Sequence, residues 1–317
     1  MNELELINDV VSKYISDCNI EDMNDFRFLT SLIDIFDSNY KGNKVRDFKK
    51  RVSLKRCLKY AYDFFMSINP DYAAYLEKRL DEGAFIFETG KEKYDNNLSI
   101  SSIIDGKAKM IVYLQNTIND AYAITHELIH DMTIEREGVD NSATRSVFCE
   151  MFSLLGEELL RDYFERTTRP SEYELESKYN LYVISWKNKI ILYELHLIET
   201  YLNNGYIHAT DLAYGDDDLV CGIALDDILD NKDLSFPFEE RYVIGYLFAC
   251  YMLDRVDSNS KNINEFFELN DIINKFKFLN LTNYLELDVV DARTLDLTDE
   301  SYKKIENAFV KRLKKVR

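Results

Sequence analysis

The sequence contains little proline and little glycine. It has 3 prolines and 10 glycines in 317 residues, whereas average usage would give roughly 16 and 22. Sandwiches and barrels need turn residues at every corner, so this scarcity argues against a many-stranded β fold. It favours long helices, and we expect a mostly α-helical protein.

Basic side chains are outnumbered as well. The sequence has 39 Lys and Arg residues and 57 Asp and Glu residues, which gives a formal net charge of −18. Because so acidic a surface repels phosphates and anionic lipids, we expect neither nucleic acid nor a membrane as a partner. The charge would either favour basic peptides or serve solubility alone. The basic tail at 311–317 is interpreted as a solvated face that complements a helix dipole.

The sequence has no uncharged apolar run of about 18 residues, and its N-terminus lacks the basic and then apolar pattern of a signal peptide. Its cysteines are odd in number, scattered and without a CxxC pair: Cys18, Cys57, Cys149, Cys221 and Cys250. This usage indicates reduced thiols and predicts a cytoplasmic protein.

Apolar spacing predicts the order of the secondary structure. Two to four helices are expected before residue 80, followed by short β-rich runs that flank Asp105-Gly106 and predict a small antiparallel sheet with a hairpin. Helical periodicity then continues, with one helix of roughly 33 residues between Pro170 and Asn203. Further helices are expected after Pro237 and from about Thr298.

No linker or repeat divides the chain. We therefore predict one domain over 1–317, with an N-terminal helical subregion at 1–82. Residues 83–317 would hold the sheet and the remaining helices.

The chain has four histidines, and two of them lie in the HExxH segment His126-Glu-Leu-Ile-His130. On a helix, residues four apart share a face, so both imidazoles can reach one Zn²⁺ ion, while Glu127 can touch a metal-bound water. Either histidine alone would more often be an ordinary hydrogen-bonded group, but the pair with its glutamate favours a metal site. Asn119 or Asp120 can cap this helix.

A catalytic zinc needs a third protein ligand. After a cap at Asp140 or Ser142, the sequence predicts an amphipathic helix whose apolar side contains one acid, Glu150. A buried carboxylate is costly unless something pairs with it. Periodicity alone supports two readings equally: Glu150 binds the metal, or it does not and instead meets a lysine or arginine or lies at the edge of the face.

Two blocks of the sequence resemble the oligoendopeptidase F and thimet oligopeptidase family of zinc peptidases. The first is the HExxH segment, and the second follows the family pattern ExxSxxxExLLxxY. The matching residues of the second block are Glu150, Ser153, Glu157, Leu159, Leu160 and Tyr163. Weaker blocks at 110–116, 193–212 and 236–249 agree in order, so the resemblance covers roughly residues 108 to 255.

The resemblance implies a helical bundle with a small antiparallel sheet beside the zinc helix, which is the catalytic domain of a thimet oligopeptidase-like gluzincin. It implies one Zn²⁺ ion per chain, held by His126, His130 and Glu150, with Glu127 as general base. Tyr242 would stabilise the oxyanion. The residues implied to support the ligand histidines by hydrogen bonds are Ser153 and Glu157.

The chain also departs from the family pattern. Ile129 stands where the family commonly has glycine, and Glu239-Glu240-Arg241 replaces a tyrosine-rich run. The histidine that usually precedes the proline is absent, with His208 as the candidate substitute. Family members are commonly twice as long, so this chain would be a compact version.

These observations predict a zinc metalloendopeptidase that hydrolyses short unfolded peptides. The strand at 110–115 would bind the substrate backbone along its edge. One alternative is a non-catalytic peptide-binding protein on the same scaffold, and another is a zinc protease that regulates one protein partner.

Overall fold

The structure is a computed structural model that describes residues 2–40, 50–89, 100–104, 107–137, 143–167, 173–215, 218–258, 262–265, 281–291 and 296–316. The chain is mostly helical with two small sheets, which confirms the predicted class. Three predicted features lie outside the described residues: the Asp105-Gly106 turn, the cap at Asp140 or Ser142, and the helix start at Pro170.

The α-helices whose two ends are described are α1 (Glu3–Cys18), α2 (Arg27–Asn39), α3 (Leu54–Ile68), α4 (Pro70–Asp81), α5 (Asn119–Glu137), α6 (Ala143–Thr167), α7 (Tyr173–Asn204), α8 (Asp218–Asn231), α9 (Phe236–Asp257) and α10 (Asp299–Val316). Four of these helices lie in the described part of the region before residue 82, within the predicted range of two to four. Helix α7 has 32 residues, close to the predicted 33. Among the described helices, none combines the length and apolar character needed to span a bilayer.

The larger sheet contains β1 (Phe85–Thr89), β2 (Ile100–Ile104) and β3 (Lys107–Leu114) in the order β1-β3-β2. Strands β2 and β3 form the predicted antiparallel hairpin, with Ile104 opposite Lys107. Strand β1 runs parallel to β3, so the prediction of a purely antiparallel sheet is wrong. Only two residues separate β2 from β3 in the sequence, which favours antiparallel pairing, whereas β1 and β3 are far apart in the chain.

The position of β3 limits where a substrate backbone could pair with it. Residues 110–114 pair with β1 on one side, and residues 107–111 pair with β2 on the other. Strand β3 is thus the central strand of the sheet. Both neighbouring strands pair with β3 at Met110 and Ile111, whereas the described residues pair 112–114 with β1 alone. The binding of a substrate backbone along 110–115 therefore stays a prediction for the part of the strand beyond Ile111.

Helix α6 forms the centre of the helical part, with α5 and α9 packed against it. The second sheet is a short antiparallel pair, β4 (Val289–Asp291) and β5 (Asp296–Leu297). Glu194 on α7 is fully buried and accepts hydrogen bonds from the backbone N–H groups of Ser235 and Phe236. This carboxylate fixes the start of α9, where the orphan N–H groups of a helix favour an acceptor.

The basic C-terminal segment is not simply a solvated face. Arg312 on α10 is 3 % exposed, and its Nε donates to Glu158 Oε2 at 2.5 Å. Its Nη1 donates to Asp162 Oδ2 at 3.0 Å. The prediction is wrong for Arg312 because the helical period turns this residue inward, where it ties α10 to α6.

Candidate metal centre

The HExxH segment lies on α5, which follows β3 after a short turn. The Asp120 carboxylate accepts hydrogen bonds from the backbone N–H groups of Gln115 at 2.8 Å and Asn116 at 3.0 Å. Asn116 adopts a left-handed φ of 57°, which asparagine tolerates. Asn119 and Asp120 are the first residues of α5 rather than its cap, and Asp120 fixes the preceding turn instead.

His126 and His130 project from the same side of α5, as the spacing predicts. Their ring centroids lie 4.6 Å apart, and their Nε2 atoms are separated by 2.9 Å. Each imidazole side chain is 13 % exposed. The two nitrogen lone pairs therefore converge on one point in a nearly buried site.

Glu150 on α6 supplies a third donor atom at that point. Its Oε2 atom lies 3.4 Å from His126 Nε2 and 3.6 Å from His130 Nε2. Donors bound to one tetrahedral Zn²⁺ at about 2.0–2.1 Å would lie roughly 3.3–3.4 Å from one another. The observed separations bracket that spacing, and these three residues form the potential metal-binding group among the described residues.

The environment of Glu150 Oε2 supports the same reading. Glu150 is 4 % exposed, and its Oε2 atom has no hydrogen-bond partner among the described residues. A buried carboxylate oxygen without a donor is costly, and a cation between it and the imidazoles would remove that cost. The donor set of two imidazoles and one carboxylate suits zinc and leaves a position open.

The second oxygen of the same carboxylate faces a different group. Glu150 Oε1 lies 3.6 Å from Nε of Arg241, which is on α9. Both alternatives left open by the sequence thus occur in one side chain, since one oxygen faces the histidines and the other faces an arginine. Nothing in the sequence pattern indicated Arg241 as a neighbour of the site.

The charges in this cluster stabilise one another. Burial would lower the pKa of His126, but the negative charges of Glu150 and Glu157, together with the hydrogen bond to Glu157, outweigh it and hold the pKa well above its ordinary value. Burial would raise the pKa of Glu150, but His130 and His126 hold it well below its ordinary value. The raised pKa of His126 favours a proton on that imidazole, whose positive charge offsets the neighbouring carboxylates.

The two predicted supporting residues behave differently. Glu157 Oε1 lies 2.6 Å from Nδ1 of His126, so this carboxylate orients the ring and directs Nε2 towards Glu150. Ser153 is fully buried, yet its Oγ has no hydrogen-bond partner among the described residues. The predicted hydrogen bond from Ser153 to a ligand histidine is therefore not formed.

Close helix packing holds α6 in place on both sides. A Cβ on Gly245 of α9 would lie 3.1 Å from the backbone N of Met151 and 3.4 Å from Cβ of Glu150. On the other side, a Cβ on Gly156 would lie 2.1 Å from Cδ1 of Ile129. Ile129, one of the departures from the family pattern, fits because the facing position on α6 is glycine.

Glu127 is 2 % exposed on α5, next to the first ligand histidine. Tyr242 is partly buried on α9, where its OH accepts a hydrogen bond from Arg241 Nη2 at 3.2 Å. Burial and the negative charge of Glu150 raise the pKa of Tyr242, so its hydroxyl stays protonated. The charge of Glu150 thus affects the pKa of this tyrosine, which lies on the α9 side of the site.

His208 is the candidate substitute for the missing histidine. It precedes a short 3₁₀ helix at 209–212, where its backbone N–H donates to Asp211 at 2.8 Å and its ring contacts Tyr206. The potential metal-binding group forms without it.

The chain was compared with known proteins. No protein-family model and no curated protein matches it. A solved structure described as a provisionally assigned oligoendopeptidase F from Bacillus anthracis str. Ames matches with a TM-score of 0.54 and 10 % identity, covering 98 % of this chain and 57 % of that one. A provisionally assigned peptidase from Chlamydophila abortus matches with a TM-score of 0.53 and 14 % identity, covering 99 % of this chain and 55 % of that one.

At these identities the similarity shows the fold alone. This chain spans little more than half the length of each of the two proteins. It therefore has the fold of part of two larger proteins that are both described as peptidases.

Proposed function

We propose that this protein is a zinc metallopeptidase of the HExxH, gluzincin type, with one metal held by His126, His130 and Glu150. The observation that carries this proposal is the convergence of three donor atoms, 2.9, 3.4 and 3.6 Å apart. The shared fold with two proteins described as peptidases supports the same class of reaction.

When bound at such a triad, zinc polarises a carbonyl and lowers the pKa of a bound water to about 7. The residues of the chain would supply the rest. Glu127, next to His126 on α5, is the general base that takes a proton from the attacking water and passes it to the leaving amine. Glu157 keeps His126 in the tautomer that presents Nε2 to the site.

The oxyanion would be stabilised from the α9 side. Tyr242 has a protonated hydroxyl, and Arg241 adds a positive charge beside it. Such donors are effective because they are held in place before the reaction starts. We propose that Tyr242 is the hydrogen-bond donor to the oxyanion and that Arg241 keeps it in place.

The whole chain, 1–317, would act as one catalytic domain, with the N-terminal helical subregion at 1–82 packed beside the zinc-binding part. Its substrates would be short unfolded peptides. The net charge of −18 would raise the local concentration of basic peptides by long-range attraction.

The test is a quenched-fluorescence peptide library incubated with the zinc-loaded chain, Glu127→Gln and Glu199→Gln. Glu199 is an exposed acid on α7 and is the matched control. We expect Glu127→Gln to retain zinc and lose turnover by about 10²–10⁴-fold, whereas Glu199→Gln behaves as the wild type.

Two results would contradict the proposal. Equal turnover by Glu127→Gln would remove that residue as the base. Stoichiometric zinc without turnover of any peptide would favour the non-catalytic peptide-binding protein.

A further inference from the structure

Helix α7 contacts the first turns of α9 at two separate points. At the start of α9, the buried carboxylate of Glu194 accepts hydrogen bonds from the backbone N–H groups of Ser235 and Phe236. Lys187 lies seven residues earlier on α7, which is about two helical turns. Its ammonium group contacts α9 about one and two turns beyond that start. Helix α7 thus supports the segment of α9 that borders the metal centre.

The side chain of Lys187 lies over the ring of Tyr242. Its Nζ is 4.1 Å from the centroid of that ring, inside the distance of about 6 Å at which a cation and an aromatic face attract each other. The same ammonium forms an ion pair with Glu239, which precedes Tyr242 by about one turn of α9. The Lys187 side chain is 12 % exposed, and partial removal from water strengthens a cation–π contact. Because Glu239 balances the charge of Lys187, this contact restrains the ring without leaving a net positive charge.

The hydroxyl of Tyr242 has a proton to donate. Nη2 of Arg241 donates to this hydroxyl at 3.2 Å. Among the described residues, the hydroxyl accepts this hydrogen bond and donates none. Arg241 is the preceding residue of the same helix, whereas Lys187 ties the ring to a second helix. The position of the ring relative to the rest of the site therefore depends on Lys187.

We propose that Lys187 is a positioning residue that holds the Tyr242 ring so that its hydroxyl proton is directed at the oxyanion formed at the metal centre. The proposal rests on the proposed peptidase function, in which Tyr242 stabilises that oxyanion. A hydrogen-bond donor of this kind is most effective when its orientation is set before the charge develops. Lys187 itself would touch neither the substrate nor the metal.

The first experiment is a double-mutant cycle measured on the zinc-loaded full chain with a quenched-fluorescence peptide. Lys187→Gln removes the cation from the ring but keeps a hydrogen-bond donor for Glu239. We expect kcat to fall about tenfold with KM unchanged, because the hydroxyl acts on the transition state and not on the bound substrate. In the Tyr242→Phe background the same substitution should change kcat by less than about twofold, because the ring that Lys187 holds no longer has a hydroxyl.

Two further variants sharpen the cycle. Lys187→Arg should keep kcat within about threefold of the wild type, because arginine also packs on aromatic faces as a cation. Lys78→Gln is the matched control, since Lys78 on α4 lies 5.8 Å from the centroid of the Tyr75 ring and forms an ion pair with Glu82. It should keep the wild-type kcat. An unchanged kcat in Lys187→Gln, or an equal loss with and without the Tyr242 hydroxyl, would overturn the proposal.

A spectroscopic measurement separates this proposal from the proposed function. A single 3-fluorotyrosine in place of Tyr242 is observed by fluorine NMR. A ring held in one environment gives a signal displaced from that of the urea-unfolded chain, whereas a freely turning ring gives an averaged signal close to it. We expect the displaced signal in the chain that has Lys187 and in Lys187→Arg, and the averaged signal in Lys187→Gln.

The two measurements can fail separately. If the zinc-loaded chain cleaves no peptide but the fluorine signal depends on Lys187 as expected, the peptidase function fails and the restraint of the ring by Lys187 stands. An averaged signal in the chain that has Lys187, or the same displaced signal in Lys187→Gln, would overturn the role of Lys187 whatever the activity.

Discussion

Helix α6 carries two buried glutamates two turns apart, and their surroundings differ in kind. Glu158 is 3 % exposed and Glu150 is 4 % exposed. Glu158 accepts from Arg312 at 2.5 Å and from Arg161 at 3.3 Å. Glu150 directs one oxygen at two imidazole nitrogens.

This difference separates structure from function within one helix. The charge of Glu158 is compensated by guanidinium groups that the fold itself provides, so this cluster is complete without any ligand. Glu150 Oε2 faces nitrogens that can bind a metal or a proton, and it has no hydrogen-bond donor among the described residues. Burial of an acid is therefore not enough to indicate a metal site, and the identity of the facing atoms decides.

The strongest test of the comparison is Glu158→Gln. The substitution leaves the buried guanidiniums of Arg312 and Arg161 without their main counter-charge, and breaking a buried pair in this way costs about 3–5 kcal/mol. We expect this loss in the free energy of unfolding, measured by urea denaturation, both with and without zinc. A loss of stability that depended on zinc would mean that the Glu158 cluster and the site around Glu150 are not independent.

In contrast, the stability lost in Glu150→Gln should depend on the presence of zinc. At zinc concentrations about 100 times the Kd, the wild type gains about 2.7 kcal/mol of stability from binding. The variant should lose about half of this gain or more, because a ligand is missing and its zinc affinity falls at least about tenfold. The measurement is the difference in unfolding free energy with and without zinc, and an unchanged gain would contradict the assignment of Glu150.

Gly245→Ala tests whether the position of Glu150 depends on the close packing of α9. The new Cβ would lie 3.1 Å from the backbone N of Met151, and relieving such overpacking costs about 1–3 kcal/mol. The matched control is Gly222→Ala on α8, where a Cβ meets nothing within 4 Å. We expect that control to be neutral or to stabilise the chain by about 0.4–1 kcal/mol, and thermal unfolding of both variants checks the contrast.

The smallest expected effect is the pH dependence of the Glu158 cluster. Burial would raise the pKa of Glu158, but Arg312 and Arg161 hold it below the ordinary 4.5. A lowered pKa contributes stability that is present above that value and is lost as the pH falls through the folded pKa. The stability difference between wild type and Glu158→Gln should therefore be constant near neutral pH and shrink below about pH 4.5. A difference that grew on acidification would contradict the lowered pKa.

The sequence predicted the grouping of His126, His130 and Glu150 better than the opposite side of the site, and the reason is physical. His126 and His130 are related by the helical period alone, and Glu150 stands out as an acid on an apolar face. The contacts of Arg241 with Glu150 and of Lys187 with Tyr242 depend on how α6 and α7 pack against α9, which no local pattern records. The predicted role of Tyr242 as the group that stabilises the oxyanion concerns this less predictable side of the site.

The errors in the fold have the same origin. The hairpin of β2 and β3 followed from a local turn signal, but the parallel pairing of β1 with β3 joins segments that are distant in sequence. The composition of the C-terminal segment suggested a solvated face, whereas the burial of Arg312 depends on acids on α6. Local sequence patterns predicted the helices themselves, but they did not predict the long-range contacts between elements.

The central claim is that His126, His130 and Glu150 bind one zinc ion. It is tested most directly by titrating the metal-free chain with zinc against a chromophoric chelator, in parallel with Glu150→Gln and Glu158→Gln. We expect one zinc per chain for the wild type, the same affinity for folded Glu158→Gln, and at least about tenfold weaker binding for Glu150→Gln. No stoichiometric binding by the wild type, or equal affinity in Glu150→Gln, would contradict the claim.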